Sequence, residues 1–219
     1  MLNEALPLLI SSLWETCYMV AVSSILATLF GLPLGVILTV TDKGHILENK
    51  SFNTVLGNIV NAARSVPFII LMVAIIPITR MLVGTSIGTT AAIVPLTISA
   101  APFIARIIEG SLKEVQHGVI EAAQAMGATP RQIIFKVLLP EAMPSIILGV
   151  TLAVVSLINF SAMAGAIGGG GLGDLAIRYG YQRFRVDIMI ITVVVLIVMV
   201  QLVQSFGDGL SRKFNKNKL

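Results

Sequence analysis

The sequence predicts an all-α integral membrane protein with five transmembrane helices. Two bulk observations carry that reading: mean hydropathy is +0.93, and only 12% of the 219 residues are charged against 56% hydrophobic. A soluble domain of this length needs far more polar surface. The third observation is where the charge sits. It collects between long uncharged runs at 16–41, 81–105, 142–173 and 188–207. Each run can supply the roughly 20 residues that cross a hydrocarbon core of about 30 Å.

Taken in order, the first run carries Gly31 and Gly35, a small-xxx-small pair that lets helices approach closely. The segment before it holds Glu4 and Glu15 and no basic stretch, so it does not read as a cleaved signal peptide. The run 65–79 is short, but Arg64 joins it to the uncharged 51–63. We place the second span near 59–79, with Arg64 snorkelling to the headgroups or, less simply, pairing with a carboxylate in the bundle. The remaining runs give spans three, four and five. Glu109 and Glu114 are expected at the solvated end of the third. Pro33, Pro67, Pro77, Pro95 and Pro102 fall inside the spans and predict kinks whose freed carbonyls neighbouring helices re-satisfy.

Five spans put the termini on opposite sides. With the N-terminus outside, the inner loops hold ten basic residues, among them Lys43, Lys50, Arg106, Lys113, Arg131, Lys136 and Arg212 to Lys218; the outer loops hold four, Arg80, Arg178, Arg183 and Arg185. The positive-inside rule therefore predicts N-out and C-in.

Several function classes are disfavoured. The net charge of +4 is spread between apolar runs, which suits lipid headgroups and not nucleic acid. Cys17 is the only cysteine, which rules out an internal disulfide. His45 and His117 lack any ligand spacing, so no metal site is expected. No G-x-x-x-x-G-K-[ST] occurs, so ATP hydrolysis by this chain is not expected. Gly168, Gly170 and Gly173 formally match G-x-G-x-x-G, but they follow a span and no strand; they predict a flexible outer turn.

The informative segment is EAAQAMGATPRQIIFKVLLPEAMP at 121–144. Val119, Ile120, Ala123 and Met126 predict one face of a short amphipathic helix, with Glu121 near its N-terminus and Gly127 as its stop. Thr129, Pro130 and Gln132 predict a second helix start with a capping box. Ile133, Ile134, Val137 and Leu138 form its apolar stripe, and Pro140 and Pro144 bracket the exit to the next span. Two short helices then meet at a glycine corner. From these residues alone, two readings stand level: insertion into a groove on another protein, or an interfacial helix resting on lipid.

The run Glu121-Ala122-Ala123, Gly127, and Val137-Leu138-Leu139-Pro140 resembles, at matching spacing, the EAA loop of ABC-importer permeases. Further stretches resemble the permease subunit of methionine ABC importers: RSVPFIIL at 64–71, IPITR at 76–80, VGTSIG at 83–88, APFIAR at 101–106, SAM at 161–163 and GGGGLG at 168–173. The resemblance implies a type I ABC importer permease fold over 12–208, a coupling segment at about 118–140, and a basic cytoplasmic tail at 209–219. It implies that Glu121, Ala122, Ala123, Gly127, Leu139 and Pro140 couple to an ATPase. The implied partners are a second copy of the chain, two ATPase subunits that bind ATP and Mg, and an extracytoplasmic methionine-binding (lipo)protein. The setting implied is a bacterial inner membrane, and the cargo methionine in L- and D-forms. Another small amino acid or a peptide is the alternative cargo, and a non-transport membrane scaffold the alternative class. Ser161 and Met163 are candidate gate or pathway residues, the flexible thioether being suited to closing a pore.

Overall fold

The computed structural model describes residues 2–216, and side chains over 6–215; the side chains of Glu4, Lys216 and Lys218 lie outside that range. All regular structure among the described residues is helical. Four helices are long and apolar enough to cross a membrane: Leu6–Val40, Thr89–Lys113, Pro130–Gly169 and Val186–Asn215. A fifth crossing exists if a bent helix pair is counted as one span.

That pair corrects the second predicted span. Helix α2 (Lys50–Ser65) and α3 (Phe68–Ala74) meet at 98°, and α4 (Ile76–Val83) follows directly. Pro67 is the cause. It disfavours helix in the residue before it, and Val66 accordingly turns extended at φ −83°, ψ 124°. Gly84, left-handed at φ +81°, stops α4, so the third span starts at Thr89 and not near 81. By contrast α1 (Leu2–Val40) runs through Pro33, and α5 (Thr89–Lys113) through Pro95 and Pro102.

Helix α5 is the centre of the molecule. Leu96, Ile104 and Ile108 are fully buried, together with Leu157 and Ile158 of α8 (Leu139–Ala164). Small residues set the approach distances. A Cβ on Gly31 would stand 2.8 Å from the Ala101 carbonyl, and one on Gly35 2.6 Å from that of Ala105. Helix α1 therefore lies backbone against backbone on α5, as the glycine spacing predicts. The last helix, α10 (Val186–Lys216), packs on α8, with Gly207 seated against Thr151. It keeps most of its apolar surface outward, as a lipid-facing helix does. The basic segment from 209 is no separate tail up to Lys216: it is the end of α10.

The glycine run 168–173 is not a flexible turn. Gly168, Gly170 and Gly171 take positive φ, and the chain then re-enters the protein as α9 (Gly171–Leu175), whose first three residues are buried. The Gly171 amide donates to Glu15 Oε2 at 2.7 Å, and the Leu172 amide to Thr16 Oγ1 at 2.8 Å. The Gly88 amide donates to the Gly168 carbonyl at 2.9 Å. One end of the bundle is thus stitched by α1, the 84–88 loop and the glycine run.

Candidate functional site

The opposite end gathers the 41–49 loop, the segment 114–138 and the end of α10, where Ser211 donates to the Pro144 carbonyl at 3.0 Å. Helix α6 (His117–Ala125) opens the candidate segment. Its stop is a complete glycine cap. Gly127 is left-handed at φ +77°, its amide donates to the Gln124 carbonyl at 2.9 Å, and the Ala128 amide donates to the Ala123 carbonyl at 3.0 Å. This satisfies the carbonyls a helix end leaves open. The chain restarts at α7 (Pro130–Ile133) through the predicted capping box: Gln132 N–H donates to Thr129 Oγ1, and Thr129 N–H to Gln132 Oε1 at 2.8 Å.

The second short helix does not end where Pro140 was expected to mark an exit. Residues 134–138 form a wider π-turn, with the Leu139 amide reaching back five residues to the Ile134 carbonyl. Helix then continues as α8. The wide turn falls immediately before Pro140, which has no N–H for a regular ladder. The corner is therefore a short helix fixed to the foot of a long span.

Only part of the predicted apolar face is used within the chain. Ile120 and Ala123 are each 4% exposed, whereas Met126 is 81% exposed and Val119 is also open. Glu121, Ala122 and Gly127 are exposed as well. Leu139 is half-buried and Pro140 exposed, both at the foot of α8 and not on α6. Ile120 and Ala123 thus anchor a helix whose remaining surface, small residues and one methionine, faces outward. His117 Nδ1 stands 4.0 Å from Glu121 Oε1 on that surface.

Behind the corner lies an ion-pair chain that sequence reading missed. Glu109 is 7% exposed, not a solvated helix end. It holds Arg106 at 2.6 Å and Lys113 at 2.9 Å, and Lys113 reaches Asp42 at 2.6 Å. Arg106 also donates to the Gly57 carbonyl at 2.8 Å. The i,i+3 and i,i+4 spacings were the available signal. The hydrogen bond from Lys113, with one from the Lys43 amide, holds the Asp42 carboxyl below its usual range. His45 is pushed down by burial, and next by the neighbouring His117.

Of the gate candidates, Ser161 is buried and donates to the Ile158 carbonyl at 2.7 Å on its own helix. Met163 is exposed. Arg64 is exposed, with its guanidinium 5.7 Å from the Phe103 ring centroid and no carboxylate within ion-pair distance among the described residues. Among the described residues no group of His, Cys, Asp and Glu is arranged to hold a metal.

A long-helix bundle with an exposed, glycine-capped corner at the foot of a span is the architecture of a membrane permease. The chain belongs to the family of binding-protein-dependent transport system inner membrane components, whose profile matches residues 31–216. It is a multi-pass inner-membrane protein with the type I ABC importer permease fold. A probable D-methionine transport system permease protein MetI of Vibrio cholerae is 60% identical over 206 residues, covering 94% of this chain and 92% of the relative. A methionine import system permease protein MetP of Bacillus subtilis is 45% identical, covering 82% of this chain and 81% of the relative. A solved structure of the MetNI methionine ABC transporter in inward-facing conformations contains a chain 49% identical to this one. It superposes with a TM-score of 0.93 over 94% of this chain and 96% of that one.

Proposed function

We propose that the chain is the membrane-spanning subunit of an ATP-driven importer that carries methionine, in L- and D-forms, into the cytoplasm. Two copies would form the pathway, two separate ATPase subunits would bind ATP and Mg, and an extracytoplasmic methionine-binding (lipo)protein would deliver cargo. The relatives named for methionine transport, alike over nearly the whole chain, support the cargo. The end of the bundle that holds the corner would face the cytoplasm, with the N-terminus outside. Lys43, Lys50, Lys113, Arg131, Lys136 and Arg212 all lie towards that end, which supports this orientation.

The observation that carries the mechanism is the corner. Glu121, Ala122 and Gly127 present a compact, exposed, low-bulk surface on a helix that two buried residues hold to its own subunit. Such a helix fits a groove on a neighbouring protein. The glycine cap fixes its direction relative to α7, and the unbroken path through the π-turn to Leu139 and Pro140 hands a displacement to α8. ATP and binding protein would then bias two conformations of one permease. Met163 is proposed as a gate residue; Met163→Ala with unchanged uptake and basal ATPase activity would end that assignment.

The test is ATP-dependent uptake into vesicles holding this chain with its ATPase and binding protein, labelled methionine competing with a panel of amino acids. Methionine-selective uptake is expected. Uptake of a different solute would end the cargo assignment. No uptake, together with no co-purifying ATPase, would favour a non-transport scaffold. Gly127→Trp should insert in the membrane yet lose coupled transport.

A further inference from the structure

The bundle holds a pocket that the corner does not use. Its volume is about 280 Å³, and its wall is made by Arg64, Phe68, Ser99, Phe103, Ser156 and Phe160. Ser99 and Phe103 sit near the middle of α5, and Ser156 and Phe160 on α8, so the pocket lies within the depth of the spans. Phe68, the first residue after the 98° break, stacks on Phe160 with ring centroids 4.9 Å apart and planes 9° from parallel. Arg64, on the other side of the break, lies against the Phe103 face. The break at Pro67 is what turns both side chains towards one space.

Arg64 is the feature that needs explaining. Charged groups at membrane depth are rare and normally have a partner. Arg106, on α5, has two: Glu109 and the Gly57 carbonyl. Among the described residues, no carboxylate lies within ion-pair distance of Arg64. A planar guanidinium backed by a ring keeps its outer N–H fork free for a carboxylate.

We infer that this pocket is a transit site for a single zwitterionic amino acid with an unbranched apolar side chain, its carboxylate on Arg64 and its side chain against the phenylalanine rings that wall the pocket. The inference rests on the importer reading above and adds the site. The volume lies just under the ~300 Å³ at which pockets for drug-sized ligands begin, which suits one amino acid and not a peptide. Three rings offer favourable contacts to a flexible thioether. Ser156 already donates to the Leu152 carbonyl at 3.0 Å, which leaves its oxygen lone pairs to accept from an ammonium. Binding and pathway then share one device: the broken span supplies both the cation and one aromatic wall.

The test is equilibrium binding of labelled L-methionine to the assembled transporter in nanodiscs without binding protein. Saturable binding is expected in the unmodified complex. Arg64→Gln should weaken it at least tenfold, with partial recovery in Arg64→Lys. Methionine amide, which lacks the carboxylate, should compete at least tenfold less well than methionine. No saturable binding to the unmodified complex overturns the inference. So does Arg64→Gln binding within twofold of it, or equal competition by the amide. The amide arm uses the unmodified protein and decides the question even where a variant fails to assemble. Methionine uptake by the complete system without Arg64-dependent binding would end this inference and leave the importer reading standing; absent uptake would end the importer reading.

Discussion

The amide of Gly171 donates to the carboxylate of Glu15 at 2.7 Å across 156 residues of chain. Gly171 is buried and left-handed, so its N–H has no solvent to fall back on. Glu15→Gln keeps an acceptor at that position, whereas Glu15→Leu removes it. Stripping a buried donor of its partner costs about 1–3 kcal/mol. Thermal unfolding in detergent should place Glu15→Leu clearly below Glu15→Gln.

Glu109 is the shared anion of two cations, and Glu109→Ala leaves Lys113 with Asp42 alone and Arg106 with the Gly57 carbonyl alone. Removing one member of a buried pair costs about 3–5 kcal/mol; because Lys113 is nearly half exposed, the lower part of that range is expected. The α1–α2 loop should loosen with it, since Lys113 then has only Asp42 to hold. Hydrogen exchange of 41–57 would register that loosening, and an unchanged exchange pattern would argue against the linkage.

At Gly127 the space around a Cβ is open, yet the backbone is left-handed. Gly127→Ala should therefore cost about 1–2 kcal/mol through conformation alone, while Gly127→Trp adds bulk on the exposed surface. ATPase association should fall little in the first and strongly in the second. Equal effects in both would mean that the cap, and not the surface, matters.

His45 gives a pH dependence with a definite sign. Burial, then His117, lowers its folded pKa below 6.5, while Asp42 opposes and Lys113 reinforces the shift. Between the folded value and about 6.5 the unfolded chain binds more protons, so stability is complete above about 6.5 and falls as pH drops through and below it. His45→Gln should flatten the acid limb of a melting-temperature profile between pH 5 and 7.

Gly35→Val is the steric counterpart. Its added atoms would meet the Ala105 carbonyl and Ile108 at once. Overpacking of this kind costs typically about 1–3 kcal/mol, and a lower yield of monodisperse protein from detergent is the expected outcome.

The spans were legible because a membrane depletes charge over whole helices, a signal that composition carries without any knowledge of contacts. The capping box at Thr129 and the stop at Gly127 were legible because both are local. A kink at Pro67 was legible, but not its size of 98°: the apolar residues on both sides satisfy a span equally well whether straight or folded back, and other prolines here are absorbed into α1 and α5 without interrupting them. The exposure of Met126 escaped for a related reason. Periodicity places Val119, Ile120, Ala123 and Met126 on one face but cannot say whether that face meets its own chain. Glu15 with Gly171 is a contact of distant segments, beyond any spacing rule.

The seating of Gly31 and Gly35 on the carbonyls of α5 has a mechanical consequence. Two helices in backbone contact cannot slip past each other by a residue, because each notch would then face a side chain. α1 and α5 must therefore travel as one keel. Any alternation between open and closed forms is left to the joints around that keel: the bend at Pro67, the glycine run at 168–173, and the foot of α8.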